Sequence, residues 1–257
     1  MTESALIDLL VAARREARQI PLPAALVPAT PEAGYRVQGE VAARLGWEPL
    51  GWKIAGTTAS VRARLGLAGP IYGRTFRRFA HPSPASLRHG DLLDPLVECE
   101  VFVTLARDLP AREHPWTWPE VVDAVATVHA GIEVAECRYP MAQLPPLPAI
   151  LADGSASGRY VFGDPIPGWR AGLRDLAVTL EVDGTVRRRG LGTEVMGDPL
   201  VPLLWLAEER RRLGDGLRAG ETVSTGSTTG MLPVRAGETV RANFGDAADV
   251  RIRFEAG

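Results

Sequence analysis

The sequence predicts an α+β chain, and three observations carry that reading. Helix-period apolar patterns gather at the N-terminal end, residues 96–105 alternate between two faces, and the last third is a run of short alternating segments separated by glycine turns.

The elements follow in order. Residues 4–19 read as a helix with Leu6, Leu9, Leu10 and Ala13 on one face and Ser4 as its cap. Four prolines mark 20–31 as a loop. A second helix is expected over 31–45, with Thr30 as cap, Pro31 in the first turn and Gly46 as the stop. A short strand, 51–55, carries Lys53. In 96–105, Val97, Cys99, Val101, Val103 and Leu105 point one way and Glu98, Glu100, Phe102 and Thr104 the other. A helix is expected over 119–130, starting at Pro119, then a strand at 131–137 with Ile132 and Val134 opposite Glu133, then a proline-rich connection at 140–148. Further strands fall at 176–182, 221–225, 238–243 and 249–255, with one helix from Asp198-Pro199 to about Leu213. The hexapeptide RAGETV occurs at 218–223 and again at 235–240, each copy a turn feeding a strand and too short for a solenoid repeat.

Composition narrows the function classes. A net charge of −2, with no basic run interleaved with aromatics, gives no footprint for nucleic acid or an anionic membrane. No segment approaches the ~20 apolar residues of a membrane span, and MTESALIDLL lacks the basic and apolar regions of a signal peptide. Two cysteines, Cys99 and Cys137, are too few for a disulfide framework and fit free thiols in a cytoplasmic protein. Of the 29 basic residues only Lys53 is a lysine. Arginine cannot deprotonate, whereas a buried lysine can be tuned for proton transfer, so Lys53 is either a chance remainder or a required amine.

The chemistry-bearing candidates are acidic. Glu98 and Glu100, at i and i+2 on a strand, lie side by side on one face. Two such carboxylates repel unless a cation joins them, and oxygen ligands on a rigid strand suit Mg²⁺ or Mn²⁺. The alternative is a solvated acidic face. Glu133, flanked by apolar residues, adds a third carboxylate on another strand, although spacing alone does not bring it to the first pair. Lys53 sits in GWKIAGTT, where the alternative is a lysine snorkelling to the surface. The loops ADGSASG (152–158) and STGSTTG (224–230) offer amide and hydroxyl donors, or serve only as flexible turns. The four histidines show no metal spacing.

Taken in order, YRVQ (35–38), GWKIAGTT (51–58), GPIYG (69–73), VECEVFV (97–103), GIEVAECR (131–138), ADGSASG (152–158), VMGDPLVPLLWLAEE (195–209), RAGETVSTGSTTG (218–230) and RANFGDAADVRIRF (241–254) resemble the fumarylacetoacetate hydrolase superfamily. The resemblance is to its 2-keto-4-pentenoate hydratase / 4-oxalocrotonate decarboxylase branch and covers nearly the whole chain. It implies a mixed β-roll with a smaller helical N-terminal part, here 1–75, and a catalytic domain, here 76–257. It implies Mg²⁺ or Mn²⁺ on Glu98, Glu100 and Glu133, with Lys53 as the catalytic amine. Substrate contacts fall on Ser157, Thr225, Gly226 and Ser227.

The implied partner is a small 2-oxo acid or dienol, with no nucleic acid or membrane, in a cytoplasmic homo-oligomer. The implied reaction is addition of water to a 2-hydroxy-2,4-dienoate. The competitors are decarboxylation of a 4-oxalocrotonate-like 2-oxo-3-enedioate, hydrolysis of an acylpyruvate-type C–C bond, and non-catalytic binding of a small acid. One segment departs from the pattern. Where relatives carry an acidic pair after the YG turn, this chain reads GRTFRRFA (73–80), so Arg77 is the candidate for meeting an extra anionic group on the substrate. Gly154 also replaces the family's asparagine.

Overall fold

The computed structural model describes residues 2–257. Helices α1 (Thr2–Arg15) and α2 (Pro31–Leu45) precede strand β1 (Pro49–Ala55), helix α3 (Ala59–Leu65) and strand β2 (Ile71–Phe76). Short strands β3 (Ala80–Pro82) and β4 (Ala85–Arg88) lead to the long β5 (Leu96–Leu105), the short β6 (Leu109–Pro110), helix α4 (Trp118–Asp123) and the long β7 (Val125–Ala135). Helix α5 (Leu147–Ala152), strands β8 (Arg159–Pro165), β9 (Ala177–Val182) and β10 (Thr185–Leu191), and helix α6 (Val201–Arg212) follow. The remaining strands are β11 (Gly216–Leu217), β12 (Thr222–Ser227), β13 (Leu232–Pro233), β14 (Thr239–Asn243) and β15 (Asp249–Glu255).

The strands form two mixed sheets and a small two-stranded one. The larger runs β2-β1-β12-β5-β7-β8-β3, with β13 also paired to β5; the second runs β10-β9-β14-β15-β4. Parallel pairs (β1 with β12, β3 with β8, β15 with β4) interrupt otherwise antiparallel ladders. The fold is α+β, a mixed β-roll with a smaller helical N-terminal part. β1 and β2 belong to the same sheet as β5 and β7, so that sheet crosses the expected boundary at 75/76.

Two large apolar clusters hold these layers, with a small third one of Leu50, Phe102 and Tyr160. Val97, Cys99, Val101 and Val103 of β5 face the second sheet and pack in one cluster with Leu180, Val240, Ile252 and Phe254. Leu6, Leu10, Val37 and Val41 join α1 to α2 and reach Phe76, Tyr139 and Ala149 in the other. Gln38 adds a polar tie across this layer: its amide donates to the Tyr72 and Leu151 carbonyls, and its oxygen accepts from the Arg74 backbone.

Most expected elements are present, and α2 has the expected cap. Thr30 accepts from the Ala33 N–H, Pro31 opens the first turn and Gly46 closes the helix in the left-handed region. Ser4 is not a cap, because α1 already begins at Thr2. The helix expected over 119–130 is a correction: α4 stops at Asp123 and 125–130 belong to β7. Thr117 and Glu120 do make a genuine helix start. The β-branched Val125, Thr127 and Val128 then pair with β5, and sheet pairing overrides the helical pattern. The two RAGETV copies make the same turn. Arg218 and Arg235 each donate their backbone N–H to the side chain of the glutamate three residues on. No helix of the described residues is long and apolar enough to cross a membrane.

Candidate metal centre

Five adjacent strands of the large sheet bring one row of polar side chains onto its inner face. In register, Lys53 on β1 stands beside Ser224 on β12, Ser224 beside Phe102 on β5, Glu98 on β5 beside Glu133 on β7, and Glu133 beside Tyr160 on β8. Period-two alternation keeps Glu98, Glu100 and Phe102 on this face while the valines of β5 fill the core.

Three carboxylates meet there. Glu98, Glu100 and Glu133 are all buried, with ligand oxygens within 4.8 Å of one another. Lys53 Nζ, 1% exposed, lies 3.1 Å from Glu133 Oε1. Tyr160 donates its hydroxyl to the same oxygen at 3.4 Å and meets Ser157 Oγ at 2.9 Å. Ser224 Oγ and the Gly226 N–H both donate to Glu100 Oε2. A bulge in β12 makes this possible, because the ladder with β5 shifts between Ser224 and Ser227. Gly226 takes φ 108°, and a Cβ there would lie 2.4 Å from Thr57 Oγ1, so glycine is required.

The electrostatics follow from burial. Desolvation pushes Glu98 and Glu133 up against the opposing pull of Lys53. Glu100 goes well above the usual carboxylate range, through burial and then the charges of Glu133 and Glu98. For Lys53, burial works against the ammonium, but Glu133, Glu98 and Glu100 outweigh it and hold the amine above its ordinary value. Ser227 Oγ forms no hydrogen bond of normal geometry, although its dipole favours the charged form of Glu98.

These residues fit a hard divalent cation. The donor set is all carboxylate oxygen, the preference of Mg²⁺ and Mn²⁺. Lys53 offsets only one of three carboxylates, and buried charge needs a partner. At this cluster the buried Glu133 Oε2 and Ser227 Oγ have no hydrogen-bond partner among the described residues. A cavity of about 440 Å³ leads to the cluster, with Thr57, Glu98, Glu100, Ser227, Arg189 and Glu194 in its wall.

The loop 152–158 supplies what the sequence did not reveal. Gly154, Ser155 and Ala156 all have positive φ, and this turn aims the Ser155 carbonyl at Lys53 Nζ, 3.1 Å away. Non-glycine residues in that region are uncommon and cost energy, a pattern found where structure serves a site. Buried Asp153 anchors the loop between Arg138 and Arg14.

The remaining candidates are placed as follows. Ser157 reaches the carboxylates only through Tyr160. Thr225 turns away and donates to the Val101 carbonyl. Gly226 acts through its backbone N–H, and Ser227 faces the cavity. Arg77 does not join the cluster: it is exposed and paired with Glu48 at 2.8 Å. Tyr160, Ser224, Thr57 and the Ser155 carbonyl were not foreseen. Tyr160 had a usable signal, since it alternates with the apolar Val161 on a short segment after the loop.

Comparison with known proteins agrees with this architecture. The family model described as fumarylacetoacetate (FAA) hydrolase C-terminal matches residues 69–255. A 2-keto-4-pentenoate hydratase of Burkholderia vietnamiensis is 34% identical over 80% of this chain and 78% of its own. The 2-keto-4-pentenoate hydratase 2 of Dechloromonas aromatica is 32% identical over 99% of this chain and 98% of its own. Among solved structures, 4-oxalocrotonate decarboxylase from Pseudomonas putida G7, complexed with magnesium and adipate, superposes with a TM-score of 0.89 at 27% identity. That match covers 97% of this chain and 96% of the other. The chain belongs to the fumarylacetoacetate hydrolase family.

Proposed function

We propose that this chain is a divalent-metal-dependent hydro-lyase that adds water to a 2-hydroxy-2,4-dienoate, giving a 4-hydroxy-2-oxo acid. The observation that carries the reading is the buried row of Glu98, Glu100 and Glu133 with Lys53 Nζ 3.1 Å from Glu133, of which Glu98 and Glu100 line a cavity sized for a small acid. Relatives at 34% and 32% identity named as 2-keto-4-pentenoate hydratases support the choice of reaction.

Glu98, Glu100 and Glu133 would hold Mg²⁺ or Mn²⁺. When bound, the ion supplies Lewis acidity toward the substrate's carboxylate and 2-oxygen. The chain's own residues do the rest. Ser224 and Gly226 fix one oxygen of Glu100, so the carboxylate keeps its orientation. Lys53, held between Glu133 and the Ser155 carbonyl, carries its proton at Nζ beside the carboxylates and is placed to give and recover it as the dienol becomes the ketone. Thr57 and Ser227 offer hydroxyls to orient the acid in the cavity. Over the whole reaction one water is consumed: its oxygen joins C4 as a hydroxyl, and hydrogen is gained at C3 and C5 as the 2-hydroxyl becomes a carbonyl. Because Lys53 comes from the 1–75 part, the catalytic unit 76–257 is complete only with that part in place.

Decarboxylation of a 2-oxo-3-enedioate is the second reading, supported by the likeness to 4-oxalocrotonate decarboxylase over 97% of the chain. One assay separates them: purified protein with Mg²⁺ and either a 2-hydroxydienoate or an oxalocrotonate, followed by dienol absorbance and carbon dioxide release. Loss of dienol absorbance without carbon dioxide is expected, carbon dioxide release selects the second reading, and no turnover of either overturns both. The same reading includes a homo-oligomer, and a monomer by light scattering at micromolar concentration contradicts that part.

A further inference from the structure

Two charged side chains in the cavity wall have no place in the reaction above: Arg189 at the end of β10 and Glu194 just beyond it. Their position is a product of backbone geometry. The pairing of β10 with β9 shifts between Val186 and Arg188, so Arg187 is an extra residue and Arg189 falls opposite Thr179. Such a bulge re-aims the side chains after it. The next residue, Gly190, lies flush against the 226–230 turn, where a Cβ would sit 1.9 Å from the Thr228 carbonyl oxygen. β10 is thereby pressed against the turn that carries Ser227, and Arg189, an exposed residue, lines the cavity.

Arg189 is also unspent. Among the described residues its side chain has no hydrogen bond and no ion pair, not even with Glu194 in the same wall. The arginines of the departing segment itself are committed elsewhere: Arg74 to Glu221 at 2.7 Å, Arg77 to Glu48, and Arg78 over the Trp47 ring at 4.3 Å. The cavity wall otherwise bears Glu98, Glu100 and Glu194, which repel an anion, and Arg189 is the fully formed cation there.

We propose that Arg189 is a specificity-determining residue that meets a second, distal carboxylate, so that the preferred substrate is a 2-hydroxydienoate ending in an acid group rather than in an alkyl or vinyl carbon. This rests on the functional reading above, because it takes the first carboxylate to lie at the Glu98–Glu100–Glu133 end. The guanidinium fork matches a carboxylate with two parallel hydrogen bonds, and its fixed charge compensates the acidic wall.

The test compares a diacid with a monoacid of equal length. Adipate and hexanoate are titrated calorimetrically into Mg²⁺-treated wild type and Arg189→Gln, an exposed substitution with no packing to lose. Wild type is expected to prefer adipate by about tenfold, the worth of one charge-assisted contact at a partly solvated site, and the variant to lose that preference. No preference in wild type, or a preference kept in Arg189→Gln, overturns the proposal. In parallel, the ratio of kcat/KM for a six-carbon dienedioate over a five-carbon dienoate should fall about tenfold in the variant. Wild type that turns over neither dienol defeats the hydro-lyase reading, and the adipate comparison then still decides the role of Arg189. Wild type that turns over both, with an unchanged ratio in the variant, defeats the Arg189 proposal alone.

Discussion

Glu98 on β5 and Glu133 on β7 are direct cross-strand partners, two buried carboxylates facing each other in antiparallel register. Like charges directly opposite one another destabilise a sheet. With Glu100 beside them and, among the described residues, only Lys53 to offset the charge, this part of the sheet is strained electrostatically unless a cation joins it. Glu98→Gln should therefore have opposite effects with and without metal. In chelator the variant should melt at or above the wild-type temperature; at saturating Mg²⁺ it should melt several degrees below. Occupancy at a hundredfold Kd is worth about 2.7 kcal/mol to the protein that binds, and each kcal/mol moves Tm by roughly 2–4 °C at this size. Parallel melting curves under both conditions would contradict the repulsion argument.

Lys53→Met should abolish most activity while leaving a folded protein. The methionine fills similar space in the buried site but carries no proton, and general acid–base groups contribute about 10²–10⁴ in rate. The check is dienol turnover beside a circular dichroism spectrum. A folded variant retaining more than a tenth of wild-type kcat would remove Lys53 from the reaction.

Gly73→Ala tests whether the loop at 152–158 positions Lys53. A Cβ on Gly73 would lie 2.0 Å from the Gly154 carbonyl oxygen, and backbone cannot give way as a side chain tip can. The displaced loop carries the Ser155 carbonyl that holds Lys53. The variant should lose about 1–3 kcal/mol of stability and, at temperatures where it remains folded, lose kcat with Mg²⁺ affinity little changed. Full activity in a folded Gly73→Ala protein would show that the loop does not govern the amine.

Asp153→Asn should be among the more damaging single changes outside the cavity. Asp153 is fully buried and receives Arg138 at 2.9 Å and Arg14 at 3.2 Å. Burial and the neighbouring Arg138 already push Arg14 down to about 10. Removing the shared anion leaves two buried guanidinium groups uncompensated, a cost of about 3–5 kcal/mol. Urea denaturation measures it, and a loss under about 1 kcal/mol would mean the pair is better solvated than its burial indicates.

Local features of this site were readable before the fold was known, and non-local ones were not. Glu98 and Glu100 share a face because a strand has period two, so their pairing is written in VECEVFV. That Glu133 meets them depends on the register of β5 against β7, which no spacing of residues 98 and 133 encodes. The same strand pairing explains the misread helix. Pro119 and Glu120 give a true start, but Val125, Thr127 and Val128 find partners in β5 and the chain leaves the helix after Asp123. Ser157 was marked for its hydroxyl, whereas the loop's contribution to Lys53 is the Ser155 carbonyl, aimed by a run of positive φ that side-chain identity does not announce. Arg189 sits in RRRG, which reads as an exposed edge; that it lines the cavity depends on β10 lying against the 226–230 turn, a contact between segments distant in sequence.

Mn²⁺ binding by wild type and by the Glu98→Ala, Glu100→Ala double variant, followed by equilibrium dialysis with paramagnetic detection of the free ion, tests the central claim most directly. One Mn²⁺ per chain is expected for wild type, displaced by Mg²⁺, with affinity lower by at least about a hundredfold in the double variant, since two of three carboxylate ligands are gone. No stoichiometric Mn²⁺ in wild type, or equal affinity in a folded double variant, would contradict it.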